Sequence, residues 1–233
     1  MKSVAIIPAR GGSKRLPRKN IVNFLGHPIL AYTIEAALGS KCFERVIVST
    51  DDNEIAAIGK KAGAYVHQRG ASLSTDSARV VDVCLDFLAG EEQAGRTYDA
   101  LACLYATAPL RNAADVSAVF GLLDPGRCDF AMAVTDYGLA PHQAMRQAAD
   151  GGLSPVWPDI VNARADEIGV LRVDNGSTYA VTVPAFRREK TFYGPNLRGY
   201  FMPRLRSVDI DTADDLTLAL LCAKHFGLGP IPA

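Results

Sequence analysis

The sequence predicts a doubly wound α/β domain built on a mostly parallel sheet. Three observations carry this expectation. β-Branched or apolar runs of strand length alternate with helical segments. The connections between them are short, and Gly, Pro or a capping residue punctuates most boundaries. A chain of 233 residues, 48 % hydrophobic and 21 % charged, suffices for one such domain spanning 1–233 with an elaborated arm.

The first strand is the apolar run that begins at Ser3 and stops at Pro8. A polar loop follows, then a short extended piece over 20–25. A helix starts at Gly26-His27-Pro28, runs to Leu38 and ends at Gly39. Arg45 to Ser49 is a buried strand. Thr50-Asp51-Asp52 caps a helix over 54–62 that Gly63 terminates, and 64–66 is a third strand. After a polar loop over 67–76 come a helix over 77–92, a central strand over 98–105 and a helix from Asn112 or Asp115 to Leu123. A further strand spans 129–135.

Residues 136–173 lose the helical period and read as an inserted arm of short strands and loops, a frequent source of dimer contacts. The doubly wound pattern resumes with a strand over 177–183 and a short helix from Pro184. An extended stretch over 200–210 and a closing helix over 212–225 complete the chain.

Bulk composition excludes several function classes. Lys plus Arg equals Asp plus Glu at 25 each, so net charge offers nothing to nucleic acid or a membrane. Five dispersed cysteines without C-x-x-C spacing read as buried thiols in a reducing cytoplasm, and four scattered histidines give no zinc pattern. No apolar run approaches the roughly 18 residues of a membrane span, and no signal peptide is evident. A cytoplasmic location is the expectation.

Against that neutral background the loop after the first strand stands out. It holds Gly11, Gly12 and Ser13 with five cations, Arg10, Lys14, Arg15, Arg18 and Lys19, and no acid of its own. Glycines let main-chain N–H groups approach phosphate oxygens, and this much charge suits a polyphosphate. The loop matches neither the G-x-x-x-x-G-K-[ST] nor the G-x-G-x-x-G pattern.

Three other segments fall at the carboxyl ends of strands, where open parallel sheets bind ligands: 72–79, 107–111 and 208–212. Asp209 and Asp211, two apart in an extended stretch, face one side while Ile210 turns to the core. Such a pair opposite a polyphosphate loop suits Mg²⁺, which takes one or two carboxylates plus phosphate oxygens. The competing expectation is that Asp211 or Thr212 caps the last helix. Thr107 and Arg111 are weaker candidates for positioning substrate, and Asn175-Gly176 reads as a hairpin or turn.

The opening I-I-P-A-R-G-G-S-K-R-L-P-R-K-N resembles the signature loop of the CMP-nonulosonate cytidylyltransferases. These are the CMP-sialic acid synthetases and their relatives for pseudaminic and legionaminic acids. V-I-V-S-T-D-D at 46–52, A-T-A-P-L-R at 106–111, D-N-G-S-T-Y at 174–179 and D-I-D-T at 209–212 extend the likeness over nearly the whole chain.

The resemblance implies a Rossmann-like fold of the nucleotide-diphospho-sugar transferase type. It implies a homodimer in which the arm reaches the partner's site, and CMP transfer from CTP to a nine-carbon 2-keto sugar acid with release of pyrophosphate. Ala9 to Lys14, Lys19, Asn20 and Arg69 would bind the nucleotide. Arg10, Lys19 and Asp211 would be catalytic, with Asp211 or a metal-held hydroxide taking the sugar's proton. Asp209 and Asp211 would hold Mg²⁺ or Mn²⁺. Tyr105, Thr107, Arg111, Arg164 and Asn175 would meet the sugar.

Tyr105 stands where sialic and legionaminic branches carry Gln, and A-T-A-P is nearer the pseudaminic branch. D-N-G-S-T-Y is nearer the sialic form, and Val80 replaces an expected Ser or Thr. The sugar therefore stays open on sequence. A CMP-Kdo synthetase and an inactive nucleotide-binding protein of this fold are the alternatives.

Overall fold

The computed structural model describes residues 1–231. Its strands and helices, in chain order, are β1 (Ser3–Pro8), β2 (Asn23–Phe24), β3 (His27–Pro28), α1 (Ile29–Gly39), β4 (Arg45–Thr50), α2 (Asn53–Lys61), β5 (Tyr65–Gln68), α3 (Val80–Gln93) and β6 (Ala100–Leu104). There follow α4 (Ala113–Phe120), β7 (Phe130–Thr135), β8 (Met145–Gln147), β9 (Leu153–Pro155), α5 (Ala165–Ile168), β10 (Val173–Thr182), α6 (Val183–Glu189), β11 (Arg198–Phe201) and α7 (Ala213–His225).

Seven strands form the central sheet in the order β11-β7-β10-β6-β1-β4-β5. Period-two alternation sends apolar side chains to both faces. Val4 and Ile6 of β1 pack with Val83 and Phe87 of α3 and Phe186 of α6, whereas Ala5 and Ile7 pack with Leu30 and Ile34 of α1, Ile55 of α2 and Val116 of α4. Helices cover both faces, which is why the strands are apolar throughout rather than alternating with polar residues.

Capping explains most boundaries. Asp52 accepts N–H bonds from Glu54 at 2.9 Å and Ile55 at 3.0 Å to start α2, and Gly63 follows α2 with φ near +90°. Asn112 and Asp115 form a reciprocal capping box on α4, and Thr212 and Asp215 do the same on α7. Helix α3 begins at Val80, later than expected, because 71–79 is taken up by a short 3-10 turn and irregular chain.

Three expectations are corrected. The strand expected over 177–183 does not continue the parallel order. As β10 it runs antiparallel to both β6 and β7. The arm leaves the carboxyl edge at the end of β7 and returns to that edge, where Val173 pairs with Thr135, so the returning strand has to run backwards. Asn175-Gly176 is not a hairpin turn either. It lies inside β10 where the register against β7 shifts between Asp174 and Tyr179, with Gly176 at φ +66°. The stretch over 200–210 is extended only through β11, after which Arg204–Arg206 turns.

Among the described residues no helix is long and apolar enough to cross a membrane. All five cysteines are free thiols, four of them buried.

Candidate active site

The carboxyl edge of the sheet gathers the ends of β1, β4 and β6, the start of β10 and the segment before α7. From the end of β1 the fully buried Ala9 donates its N–H to Ser49 O at 2.9 Å. The cationic loop then turns back on itself, with Asn20 Nδ2 donating to Arg10 O at 2.9 Å. Its glycines have different reasons to be there. A Cβ on Gly11 would sit 2.7 Å from Asp52 Oδ2, whereas a Cβ on Gly12 would meet nothing within 4 Å. Gly11 N–H is already donated to Asp51 Oδ1 at 3.0 Å.

The cations are not unopposed once the chain folds, because acids arrive from other segments. Arg10 pairs with Asp76 at 2.6 Å and Lys14 meets the other oxygen of the same carboxylate. Lys19 and Arg15 meet the two oxygens of Asp211 at 2.5 and 2.6 Å, and Arg18 grips Asp52. Ser13 carries no such charge; its N–H donates to Gly11 O at 3.1 Å and its side chain lines the cleft. Hydrogen bonds from Lys14 and then Arg10 hold the Asp76 carboxyl below its usual range.

Asp209 and Asp211 flank the fully buried Ile210, whose N–H donates to Thr107 O at 2.9 Å and ties this segment to the end of β6. Thr107 Oγ1 donates to Asp209 Oδ1. Burial pushes the Asp209 carboxyl up, and the nearby charge of Asp211 adds to the effect. Burial works the same way on Asp211, but Lys19 and Arg15 outweigh it and leave that carboxyl lowered. Thr212 and Asp215 cap α7, so neither Asp209 nor Asp211 is used up as its cap. A Cβ on Gly176 would lie 2.8 Å from Asp209 Oδ2, which explains the glycine in the β10 irregularity.

A cavity of about 260 Å³ opens between these parts, lined by Arg10, Lys19, Asn20, Arg69, Tyr105 and Thr107 among others. A second cleft of about 270 Å³ continues past Lys14 and Arg15 to Asp76 and Asp211. Arg69 is held rigidly, with Nη2 donating to Ser49 O at 2.7 Å and Nε to Ser49 Oγ at 3.4 Å. His67 Nδ1 lies 3.0 Å from the same hydroxyl and its Nε2 3.5 Å from Asp86. This Ser49-His67-Asp86 line is sealed from substrate because Ser49 is fully buried, so it serves to orient Arg69.

The remaining candidates do not join the crevice. Arg111 is only 3 % exposed, and its guanidinium donates to Ser177 O at 2.8 Å, Tyr105 O at 3.3 Å and Thr33 Oγ1 at 2.7 Å. It ties the end of β6 to the start of β10 and to α1. Burial lowers its pKa to about 10. Asn175 is likewise buried, donating to Ser207 Oγ at 3.1 Å and accepting from Ser177 N–H at 3.1 Å. Arg164 is exposed at the start of α5, bonded to Asp166 at 3.1 Å, and lines neither cleft.

Two acids escaped sequence reasoning. Asp76 lies in the 72–79 segment placed at the ligand edge but is not singled out within it, and Asp174 lies in a stretch read as a turn. Asp174 Oδ2 accepts from Tyr179 Oη at 2.7 Å and from Tyr193 Oη, and the Tyr179 ring lies 5.4 Å from that of Tyr105. Burial raises the Tyr193 phenol to about 12.

The cytidylyltransferase family profile matches residues 4–120. The chain is 35 % identical over 228 residues to pseudaminic acid cytidylyltransferase of Campylobacter jejuni, covering 96 % of this chain and 97 % of the relative. It is 32 % identical to CMP-N,N'-diacetyllegionaminic acid synthase of Legionella pneumophila, covering 94 % of each. Among solved structures, CMP:2-keto-3-deoxy-manno-octonic acid synthetase complexed with CTP superimposes with a TM-score of 0.70 over 96 % of this chain and 100 % of that one. At 20 % identity this is a likeness of fold. A cationic loop facing two aspartates across the carboxyl edge, in a chain so related along its whole length, makes this protein a member of the cytidylyltransferase family.

Proposed function

We propose that this enzyme transfers CMP from CTP to the anomeric hydroxyl of a nine-carbon 2-keto sugar acid, with pseudaminic acid the leading candidate, and releases pyrophosphate. The observation that carries the reading is the meeting of the Arg10–Lys19 loop with Asp211 in one cleft, with Asp209 two residues away and tied to Thr107. The 35 % identity to a pseudaminic acid cytidylyltransferase supports the choice of sugar.

The sugar's anomeric oxygen attacks the α-phosphorus in line. The bond to the β-phosphate oxygen breaks, pyrophosphate leaves, and the hydroxyl proton passes to a carboxylate, for which Asp211 is the candidate. Negative charge grows on the leaving group, so cations held there stabilise the transition state more than the ground state. Arg10, Lys14 and Lys19 take that role. To do so they exchange Asp76 and Asp211 for phosphate oxygens, a swap of anions that leaves the loop's charge balanced. Arg69, fixed from behind by Ser49, lines the end of the crevice suited to the base.

Asp209 and Asp211 fit a divalent cation. They come two residues apart from one extended segment, and no three His, Cys, Asp or Glu side chains converge among the described residues, so further ligands would come from substrate. Mg²⁺ bound there, or Mn²⁺, would neutralise charge on the triphosphate. A homodimer formed through residues 136–173 is part of the proposal, supported by exposed Leu139, Leu153, Trp157 and Val170 in that segment. Use of CTP argues for the cytoplasm.

The test is pyrophosphate release from CTP with pseudaminic, legionaminic and N-acetylneuraminic acids and Kdo in parallel. Turnover on a nine-carbon acid supports the reading, turnover on Kdo alone replaces the sugar, and binding of CTP without turnover on any of them identifies an inactive relative.

A further inference from the structure

Of the five loop cations, Arg18 is the one that lines neither cleft. Its backbone is left-handed, with φ +56°, a conformation a residue with a Cβ seldom adopts without support. The support is visible. Arg18 Nη1 meets Asp52 Oδ2, Nη2 lies 3.2 Å from Asp52 Oδ1, and Nη2 also donates to Glu54. Asp52 is fixed in turn, since its Oδ1 caps α2 through the N–H groups of Glu54 and Ile55. The same carboxylate packs against Gly11, where no Cβ fits. One residue beyond Arg18, Lys19 reaches into the crevice toward Asp211.

The geometry points to Asp52 and Arg18 as a positioning pair for the nucleotidyl transfer: clamped on Asp52, Arg18 holds the left-handed turn from which Lys19 projects, and does not itself touch the triphosphate. This rests on the reading of the loop as the CTP phosphate site. The Arg18 end of the loop is tied to a carboxylate that α2 holds still, and that carboxylate packs beside Gly11 at the other end, whose N–H goes to Asp51. Releasing it leaves Lys19 with its charge but without its place, and the ordering cost moves to the moment of nucleotide binding. The Arg18 side chain is 39 % exposed, so the pair contributes little to global stability and its loss is read at the site.

The discriminating variants are Asp52→Ser, Arg18→Met, Arg18→Lys and the double Asp52→Ser/Arg18→Met. Serine keeps an oxygen able to cap α2 while removing the carboxylate that grips Arg18. CTP affinity by calorimetry, kcat and KM by pyrophosphate release, and melting temperature are measured on the full chain. Each of the Ser and Met singles is expected to weaken CTP binding about tenfold with melting nearly unchanged, and the double to be no worse than either single. Arg18→Lys recovers part of the loss. If the Arg18→Met loss persists undiminished in the Asp52→Ser background, Arg18 acts independently of Asp52 and the clamp is wrong. Singles that bind CTP as the wild type does also overturn it. Wild-type protein that fails to bind CTP would remove the phosphate-site reading, and the clamp with it.

Discussion

At the scale of single residues, Asp211 joins two of the loop's cations. It balances Lys19 and Arg15, and it stands two residues from the half-buried Asp209. Asp211→Asn and Asp209→Asn are each expected to lower kcat at saturating Mg²⁺ by about a hundredfold or more, read by pyrophosphate release. Asp76 occupies Arg10 and Lys14, so Asp76→Asn frees both for phosphate and should lower the KM for CTP by about two- to fivefold. Arg111 separates structure from chemistry. Arg111→Met removes one donor each from the carbonyls of Ser177 and Tyr105, which keep Tyr105 N–H and Thr33 Oγ1 respectively, and a loss of about 1–3 kcal/mol should appear as a lower melting temperature. At this scale the sequence marked the cations and the aspartate pair, because charge and spacing are local. Arg111 in its strand-end motif looked like a ligand. Its burial depends on the start of β10, sixty-odd residues further on, which no local pattern reports.

At the scale of elements, the caps were the most readable features. Asp52, Asn112 and Thr212 begin the helices their sequence signatures announced, since a cap and its N–H partners lie within three residues. The end of α3 carries a device no pattern shows. Glu91 is buried there and receives Arg96, Tyr98 and Arg45. The bonds from Arg96, then those from Tyr98 and Arg45 against an opposing effect of burial, lower its carboxyl from 4.5 to about 2. The folded value lies below the unfolded one, so the stabilisation is full above pH 4.5 and is lost as pH falls toward 2. Its size is on the order of 3 kcal/mol. Glu91→Gln should therefore flatten the acid limb of the stability curve between pH 2 and 4.5, measured by urea unfolding at a series of pH values. An unchanged slope there would remove this account of the network.

At the scale of the whole molecule, alternating strands and helices disclosed the doubly wound sheet, but not the reversal of β10. Strand direction depends on where the arm re-enters, and the arm has no periodicity to reveal that. The reversal shapes the carboxyl edge. It brings the Asp174–Ser177 end of β10 beside the end of β6, where the Tyr105–Tyr179 contact forms and Gly176 makes room for Asp209. The arm's apolar side chains, Leu139 at 88 % and Val170 at 80 % exposure, are expected to be covered by a second copy, so light scattering should report a dimer. Replacing Leu139 and Leu153 by Ser should shift that mass toward the monomer. The central claim is tested most directly by pyrophosphate release from CTP and Mg²⁺ in the presence of pseudaminic acid. The account predicts stoichiometric pyrophosphate and CMP-sugar, formed more slowly by about a hundredfold or more in Asp211→Asn. Tight CTP binding with no pyrophosphate from any nine-carbon acid would contradict it.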